Sequence, residues 1–185
     1  MSNGKLFVIS GASGVGKSTV LGKVMQQRKD LLFSVSATTR APRPGETEAV
    51  SYYFVSKETF RQMIDQGEFV EYDAHMNNFY GTPRGQLEEK LKKGHVILDI
   101  EPNGAFEVKK ACPEAVLIFI APPSMEEVER RLRSRGDTPE DQIQVRLDRA
   151  NWEMEQSKKY NYIVVNDRVD ACVQEMLKII AQEAD

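Results

Sequence analysis

The chain has 185 residues, of which 41% are hydrophobic and 29% are charged, so it is long enough for one domain with a sizeable core and too short for two full ones. Its 25 Lys and Arg residues against 28 Asp and Glu give a formal net charge of −3. This balance argues against a protein that coats nucleic acid or an anionic membrane, because both partners require a basic surplus. It does not argue against a site for one small anion.

Strand and helix signals alternate along most of the chain. Apolar runs predict strands at 6–10, 33–36, 96–100, 116–121 and 162–165. Helical patterns follow at 18–29, after Ser56, after Pro83, after the capping box formed by Ser124 and Glu127, and after Thr138 with Pro139. Because continuous apolar runs are typical of parallel strands covered on both faces, we predict an α/β fold with a parallel sheet flanked by helices.

One section breaks this alternation. Residues from 35 to about 85 are rich in Thr, Arg, Pro, Gly and Tyr, with short alternating pieces at 52–55 and 69–72. We interpret them as a small mixed α+β lobe inserted into the core.

Cysteine and histidine usage gives no sign of a metal or disulfide framework. The two histidines form no zinc-like cluster, and Cys112 and Cys172 are interpreted as reduced packing residues in a cytoplasmic protein. The longest apolar run, 116–121, is far too short to cross a bilayer. We expect no targeting segment, since a strand-like run begins at Leu6.

The strongest motif is G-A-S-G-V-G-K-S, directly after the first predicted strand. It fits G-x-x-x-x-G-K-[ST], the P-loop, in which backbone N–H groups surround a phosphate at a helix N-terminus. In such a loop Lys17 reaches the β- and γ-phosphates and the Ser18 hydroxyl can bind Mg²⁺. A plain connecting turn has no reason to carry Lys-Ser at this offset. The motif therefore predicts a P-loop NTPase-type fold and a nucleotide phosphate site formed by Gly11, Ala12, Ser13, Gly14, Val15, Gly16, Lys17, Ser18 and Thr19.

A second candidate anion site follows the second predicted strand. Arg40 and Arg43 lie three residues apart in a stretch stiffened by two prolines, which suits a fork for another phosphate group. A solvated loop whose arginines face water explains these residues equally well. Tyr52 and Tyr80 could donate hydroxyls to the same anion, although half-buried strand aromatics are the more ordinary interpretation.

The order of the motifs resembles that of guanylate kinases over nearly the whole chain. The family-specific element S-A-T-T-R-A-P-R-P-G is followed in order by Y-Y-F-V-S, G-E-F-V-E-Y, F-Y-G-T, V-I-L-D-I-E, R-R-L-R-S-R-G and Y-I-V-V-N-D. The resemblance implies Mg²⁺-dependent transfer of the γ-phosphoryl group of ATP to GMP, and to dGMP, in purine nucleotide metabolism. It also implies a core of about 1–34, 86–124 and 146–185, a GMP-binding lobe at about 35–85 and a helical lid at about 125–145.

The resemblance further implies a set of GMP contacts. The residues expected to hold the GMP phosphate are Arg40, Arg43, Tyr52 and Tyr80, and those expected at the guanine are Ser36, Glu71 and Thr82. A carboxylate such as Glu71 can accept from the adjacent N1–H and exocyclic amine of guanine, whereas adenine has neither group on that edge. From the residues alone, Glu71 could also be a strand-face charge, and Thr82 could cap the helix after Pro83.

An acid ends the apolar run at 96–99, as expected for a carboxylate near Mg²⁺ and the reacting phosphates. Asp99 and Ser18 are therefore the predicted metal ligands, and Asp99 and Glu101 complete the predicted GMP site. The family usually has Asp-x-Asp followed by Gln-Gly here, whereas this chain has D-I-E-P-N-G. The longer Glu101 could still reach the guanine amine, but the departure leaves its contact open.

Six arginines between residues 130 and 149 surround a break at Gly136. The resemblance makes this segment the lid, which closes Arg135 and Arg146 on the ATP phosphates. With these two, the predicted catalytic set is Lys17, Arg40, Arg43, Arg135, Arg146 and Asp99. The remaining lid arginines are interpreted as an exposed face paired with nearby glutamates: Arg130, Arg131, Arg133 and Arg149.

Two residues after the last predicted strand are predicted near the ATP base. Asn166 and Asp167 follow the last strand, where the family places that base, although Asp167 could instead cap the last helix. Trp152 is assigned to packing.

Other functions are less compatible with these motifs. The same fold could act on another phosphate acceptor, but the Ser36–Arg43 element with Glu71 and Thr82 argues for GMP. A catalytically inactive binding module typically loses its P-loop and lid arginines, and both are intact here. A P-loop GTPase would need N-K-x-D, which N-D-R-V at 166–169 is not.

Overall fold

Five parallel strands form the central sheet of the structure, a computed structural model that describes residues 4–75, 77–135 and 139–184. In spatial order they are β2 (Leu32–Ser34), β7 (Val96–Asp99), β1 (Leu6–Gly11), β8 (Val116–Ala121) and β9 (Tyr162–Val165). Strand β1 lies in the middle, with Val8 in register with Leu98 on one side and Leu117 on the other. All five predicted strands are present, and the parallel sheet is confirmed.

Helices cover both faces of this sheet. On one face, Phe7 and Ile9 pack with buried residues of α1 (Lys17–Gln27), α5 (Met125–Arg135), α6 (Glu140–Ser157) and α7 (Val169–Ala184). On the other, Leu6 and Val8 pack with α3 (Arg84–Leu91) and α4 (Pro102–Ala111). The alternating side chains of β1 therefore enter two cores, as the continuous apolar run predicts.

A second sheet lies within the range predicted for the inserted lobe. Its order is β4 (Tyr53–Phe54), β3 (Ala37–Thr38), β6 (Asn78–Pro83) and β5 (Phe69–His75), with α2 (Lys57–Asp65) packed against it. Phe60 of α2 stacks on Phe69 and Phe79, with ring centroids 4.4 and 5.4 Å apart. This small aromatic core holds the lobe together without a strand from the central sheet.

Helix-start signals in the sequence correspond to real caps. The Ser56 Oγ accepts from the Thr59 N–H at 3.1 Å, and the Ser124 Oγ accepts from the Glu127 N–H at 3.2 Å. Helix α6 begins at Glu140, directly after Pro139, whereas the predicted cap Thr138 lies outside the described residues. The predicted strand at 33–36 ends at Ser34, because the Ser36 carbonyl accepts from the Tyr53 N–H of the second sheet instead.

Two further expectations concern cysteines and membranes. Cys112 and Cys172 are both free thiols. Over the ranges that the structure describes, every helix is too short or too polar to cross a membrane.

Candidate active site

A cavity of about 230 Å³ opens where the carboxyl end of β7 faces the second sheet. Seven of the predicted site residues line it: Lys17, Ser36, Tyr52, Glu71, Tyr80, Asp99 and Glu101. They come from segments far apart in sequence, and the fold brings them to one side of the central sheet. Parallel α/β sheets place ligands at the carboxyl ends of their strands.

The predicted phosphate-binding loop, residues 11–18, turns sharply between β1 and α1. Gly14 and Gly16 have φ of 78° and 88°, a conformation that glycine adopts without steric cost. Helix α1 then begins at Lys17, whose ammonium forms an ion pair with the Asp99 carboxylate. Burial alone would lower the pKa of Lys17, but the charges of Asp99 and Glu101 outweigh it and raise that pKa. Lys17 is therefore a fixed positive charge at the cavity wall.

Buried side chains hold the phosphate-binding loop from behind. The Asn166 side-chain amide donates to the Val15 carbonyl at 2.8 Å, and the Ser13 N–H donates to Glu153 at 2.7 Å. Arg131 also donates to the carbonyls of Val15 and Asn166, at 3.3 and 3.2 Å. Arg131 pairs with Glu127 at 2.6 Å, as predicted, but it is not part of an exposed face, because its terminal nitrogens reach inward to the loop.

Glu71 is a buried carboxylate with one fixed hydrogen bond. It is 7% exposed, and Thr82 lies opposite it in the β5–β6 ladder and donates its hydroxyl to Oε1 at 2.6 Å. Burial raises the pKa of Glu71, and the Thr82 hydrogen bond opposes that rise. Glu71 is therefore not an exposed charge on a strand face. Thr82 does not cap the following helix, because Pro83 occupies the N-cap position of α3.

Gly104 allows helix α4 to approach this carboxylate. A Cβ at residue 104 would lie 2.6 Å from Glu71 Oε2 and 3.1 Å from its Cδ, so every larger side chain would displace Glu71. This role of Gly104 was not predicted from the sequence, in which a glycine directly after Pro102 and Asn103 is its one indication.

The two predicted phosphate-binding arginines differ in their surroundings. Both terminal nitrogens of Arg40 bond to Glu46, at 2.9 and 2.8 Å, and Glu46 also accepts from the Arg43 N–H at 2.7 Å. Hydrogen bonds from Arg40 and from the Arg43 backbone lower the pKa of Glu46 to about 2. Arg40 also lies over the Tyr52 ring, 5.3 Å from its centroid, with Tyr80 beside that ring.

The alternative of a solvated loop whose arginines face water fits only one of the two arginines. Arg40 is half-buried and fixed by Glu46, whereas Arg43 is exposed. Neither is among the described residues that line the cavity.

Arg149 connects the cavity rim to the underside of the phosphate-binding loop. Its guanidinium forms one ion pair with Glu101 and a second, of 3.0 Å, with the buried Glu153. The assignment of Arg149 to an exposed, locally paired face is therefore wrong. Trp152 is also not a core residue: it is 36% exposed, and Arg149 lies 4.9 Å from its ring centroid.

The remaining arginines of the predicted lid are described only in part. Arg130 pairs with Glu127, and Arg133 pairs with Glu129 and Glu140, as exposed ion pairs. The side chain of Arg135 and residues 136–138 lie outside the description. Partly buried Arg146 on α6 has no ion-pair partner within the described ranges.

The residues after β9 and at the start of α1 differ in exposure. Asp167 is exposed where β9 ends, next to the buried Asn166. Ser18 and Thr19 are exposed in the first turn of α1.

The predicted metal ligands fit Mg²⁺ bound together with phosphates. Ser18 follows Lys17, and Asp99 forms an ion pair with Lys17, so a hydroxyl and a carboxylate adjoin the phosphate-binding loop. No cluster of three or more His, Cys, Asp or Glu occurs in the part of the chain that the structure describes. Mg²⁺ typically takes one or two protein oxygens and completes its shell with water and phosphate oxygens.

Comparisons with known proteins agree on one family. The family model for guanylate kinase matches residues 3–183. A guanylate kinase of Thermus thermophilus is 47% identical over 97% of this chain and 82% of its own length. One from Prochlorococcus marinus is 46% identical over 95% of this chain and 96% of its own length. The crystal structure of guanylate kinase from Anaplasma phagocytophilum superposes with a TM-score of 0.80 at 34% identity, over 100% of this chain and 88% of that one.

Proposed function

The chain belongs to the guanylate kinase family, and we propose that it transfers the γ-phosphoryl group of ATP to GMP, giving ADP and GDP. The observation that carries the proposal is the buried Glu71 carboxylate, held by Thr82 in the same cavity as the phosphate-binding Lys17. An ionised carboxylate in that position accepts from N1–H and the exocyclic amine of guanine. With adenine one Glu71 oxygen would still accept from Thr82, but the other would stay buried without a donor, which is costly.

At the acceptor end, we infer that hydrogen-bond donors surround the GMP phosphate. Burial raises the pKa of Tyr52, so its hydroxyl stays protonated and can donate to a phosphate oxygen. Tyr80 lies edge-on to it, with ring centroids 6.1 Å apart, and Arg40 covers the Tyr52 ring. Glu46 orients Arg40, and Arg43 reaches the phosphate from the exposed side of the same loop. The same base and phosphate occur in dGMP, which we propose as a second acceptor.

At the donor end, the phosphate-binding loop and Lys17 bind the β- and γ-phosphates of ATP through N–H groups and a fixed positive charge. Arg135 and Arg146 are proposed to close on these phosphates, with Asn166 and Asp167 beside the adenine. When bound, Mg²⁺ neutralises phosphate oxygens, and Ser18 and Asp99 are the residues that would hold it. The reaction needs no covalent intermediate, since alignment and charge neutralisation provide the catalysis.

The activity is tested by a coupled assay with ATP and each of GMP, dGMP, AMP, CMP and dTMP as acceptor. We expect GMP to have the highest kcat/KM and the product to be GDP. Absence of GDP, or faster turnover of AMP, CMP or dTMP, would contradict the proposal.

A cytoplasmic location remains a prediction from the two free cysteines.

The catalytic centre is tested by Lys17→Ala. We expect kcat to fall by roughly 100-fold or more, while the dissociation constant of GMP changes little. Lys23→Ala is the matched control, because Lys23 lies on the same helix and pairs with the exposed Asp170. Retained turnover in Lys17→Ala would show that the catalytic centre lies elsewhere.

A further inference from the structure

Arg149 of α6 bridges two carboxylates that belong to different parts of the site. One is Glu101, which lines the cavity and immediately precedes α4. The other is Glu153, one turn further along α6, which is 2% exposed and accepts from the Ser13 N–H of the phosphate-binding loop. The chain of contacts therefore runs from the cavity rim to the backbone of that loop.

The two ends of this bridge differ in rigidity. Glu153 is buried and accepts hydrogen bonds at both oxygens, from Ser13 at 2.7 Å and from Arg149 at 3.0 Å. Glu101 is more than half exposed, and its side chain makes no capping hydrogen bond to α4. A long, exposed carboxylate samples many rotamers unless a partner restricts it. Because Arg149 is itself held by the buried Glu153, it restricts the side chain of Glu101.

The chemistry of arginine suits this bridge. Its planar fork offers Nε to Glu153 and a terminal nitrogen to Glu101 at the same time, which the single ammonium of lysine cannot reproduce. Trp152 covers the guanidinium at 4.9 Å and limits its movement further.

We propose that Arg149 is a positioning residue that sets base selectivity, by holding Glu101 where it accepts from the exocyclic amine of guanine. This inference rests on the proposed function, since it assigns Glu101 to the base of GMP. Arg149 itself lies outside the lining of the cavity. It acts on the substrate only through Glu101.

The test compares GMP with inosine 5′-monophosphate, which differs from GMP by lacking the exocyclic amine. We expect Arg149→Gln to lower the ratio of kcat/KM for GMP to that for inosine monophosphate by roughly 3- to 10-fold, the contribution of one partly exposed charged hydrogen bond. A purely structural defect would lower both values together and leave the ratio unchanged. Glu101→Gln should lower the ratio by a similar factor, and the double variant no further than either single one.

Arg28→Gln is the matched control, because Arg28 also donates from Nε and a terminal nitrogen, in its case both to Asp30, and lies outside the cavity lining. If Arg149→Gln fails to fold because Glu153 loses its partner, Arg149→Gln with Glu153→Gln removes that charge, and the same loss of selectivity is expected. A wild-type ratio in a folded Arg149 or Glu101 variant, or multiplicative losses in their double variant, overturns the inference. A wild-type protein that makes no GDP instead refutes the proposed function.

Discussion

Replacing Gly104 with alanine should weaken GMP binding while leaving the protein folded. The new Cβ would lie 2.6 Å from Glu71 Oε2, and contacts under 3.0 Å essentially never occur, so the carboxylate must retreat by about 0.4 Å or more. Glu71 lines the cavity, so its carboxylate can move, but the movement strains the hydrogen bond that its other oxygen accepts from Thr82 at 2.6 Å.

The size of the effect follows from the hydrogen bonds that move. A hydrogen bond to a charged group contributes about 1.5–3 kcal/mol, so losing one between Glu71 and guanine should raise the KM for GMP roughly 10- to 100-fold. The free energy of unfolding should change by less than about 1 kcal/mol, because alanine in a helix gains about 0.5–1 kcal/mol over glycine and offsets part of the strain.

Steady-state kinetics with varied GMP, together with denaturant unfolding, measure both quantities. Gly85→Ala is the matched control: Gly85 also lies in the first turn of a helix, α3, and its added Cβ would meet nothing within 4 Å. An unchanged KM for GMP in Gly104→Ala, or an equal rise in Gly85→Ala, would refute the reasoning.

Three further predictions concern the acceptor and donor sites. Glu46→Gln leaves Arg40 with only one side-chain oxygen as acceptor at residue 46. It should raise the KM for GMP roughly fivefold and leave the KM for ATP unchanged. A lower KM for GMP would mean that Glu46 competes with the GMP phosphate for Arg40. Under the proposed function GMP binds to ionised Glu71, whose pKa lies above its ordinary value of 4.5, so the KM for GMP should rise on acidification. Thr82→Val removes the hydrogen bond that opposes the rise in the Glu71 pKa, so the increase in KM should begin at a higher pH than in the wild type. If steady-state pH profiles show no such displacement, the pairing of Thr82 with an ionised Glu71 is contradicted. Asn166→Ala should raise the KM for ATP roughly 3- to 10-fold with little change in that for GMP; equal changes in both would point to general damage.

Much of the central fold could be predicted because its signals are local. Continuous apolar runs identified the strands of the parallel sheet, and the P-loop pattern located the turn from β1 into α1. The Ser124 cap was visible for the same reason, since it involves residues three apart.

The contacts that complete the site depend on residues distant in sequence. Glu71 meets Thr82 because of the β5–β6 register, which shifts at an irregularity next to Phe69. Arg149 reaches Glu101 across 48 positions, although its spacing on α6 alone suggests an ordinary surface residue. Helical periodicity gives the face of a side chain, but it does not identify the partner on another element.

The buried anchors behind the phosphate-binding loop have a thermodynamic consequence for the nucleotide. Ordering one backbone residue costs about 1–2 kcal/mol, and here Asn166, Arg131 and Glu153 fix the loop through contacts within the folded chain. The entropy of ordering is thus lost when the protein folds, and ATP meets a loop whose N–H groups are already in place. The Ser13 and Val15 N–H groups are hydrogen-bonded to Glu153 and to the Ala12 carbonyl, at 2.7 and 3.0 Å. Their hydrogen exchange should therefore be slow in the free enzyme and change little when ATP binds.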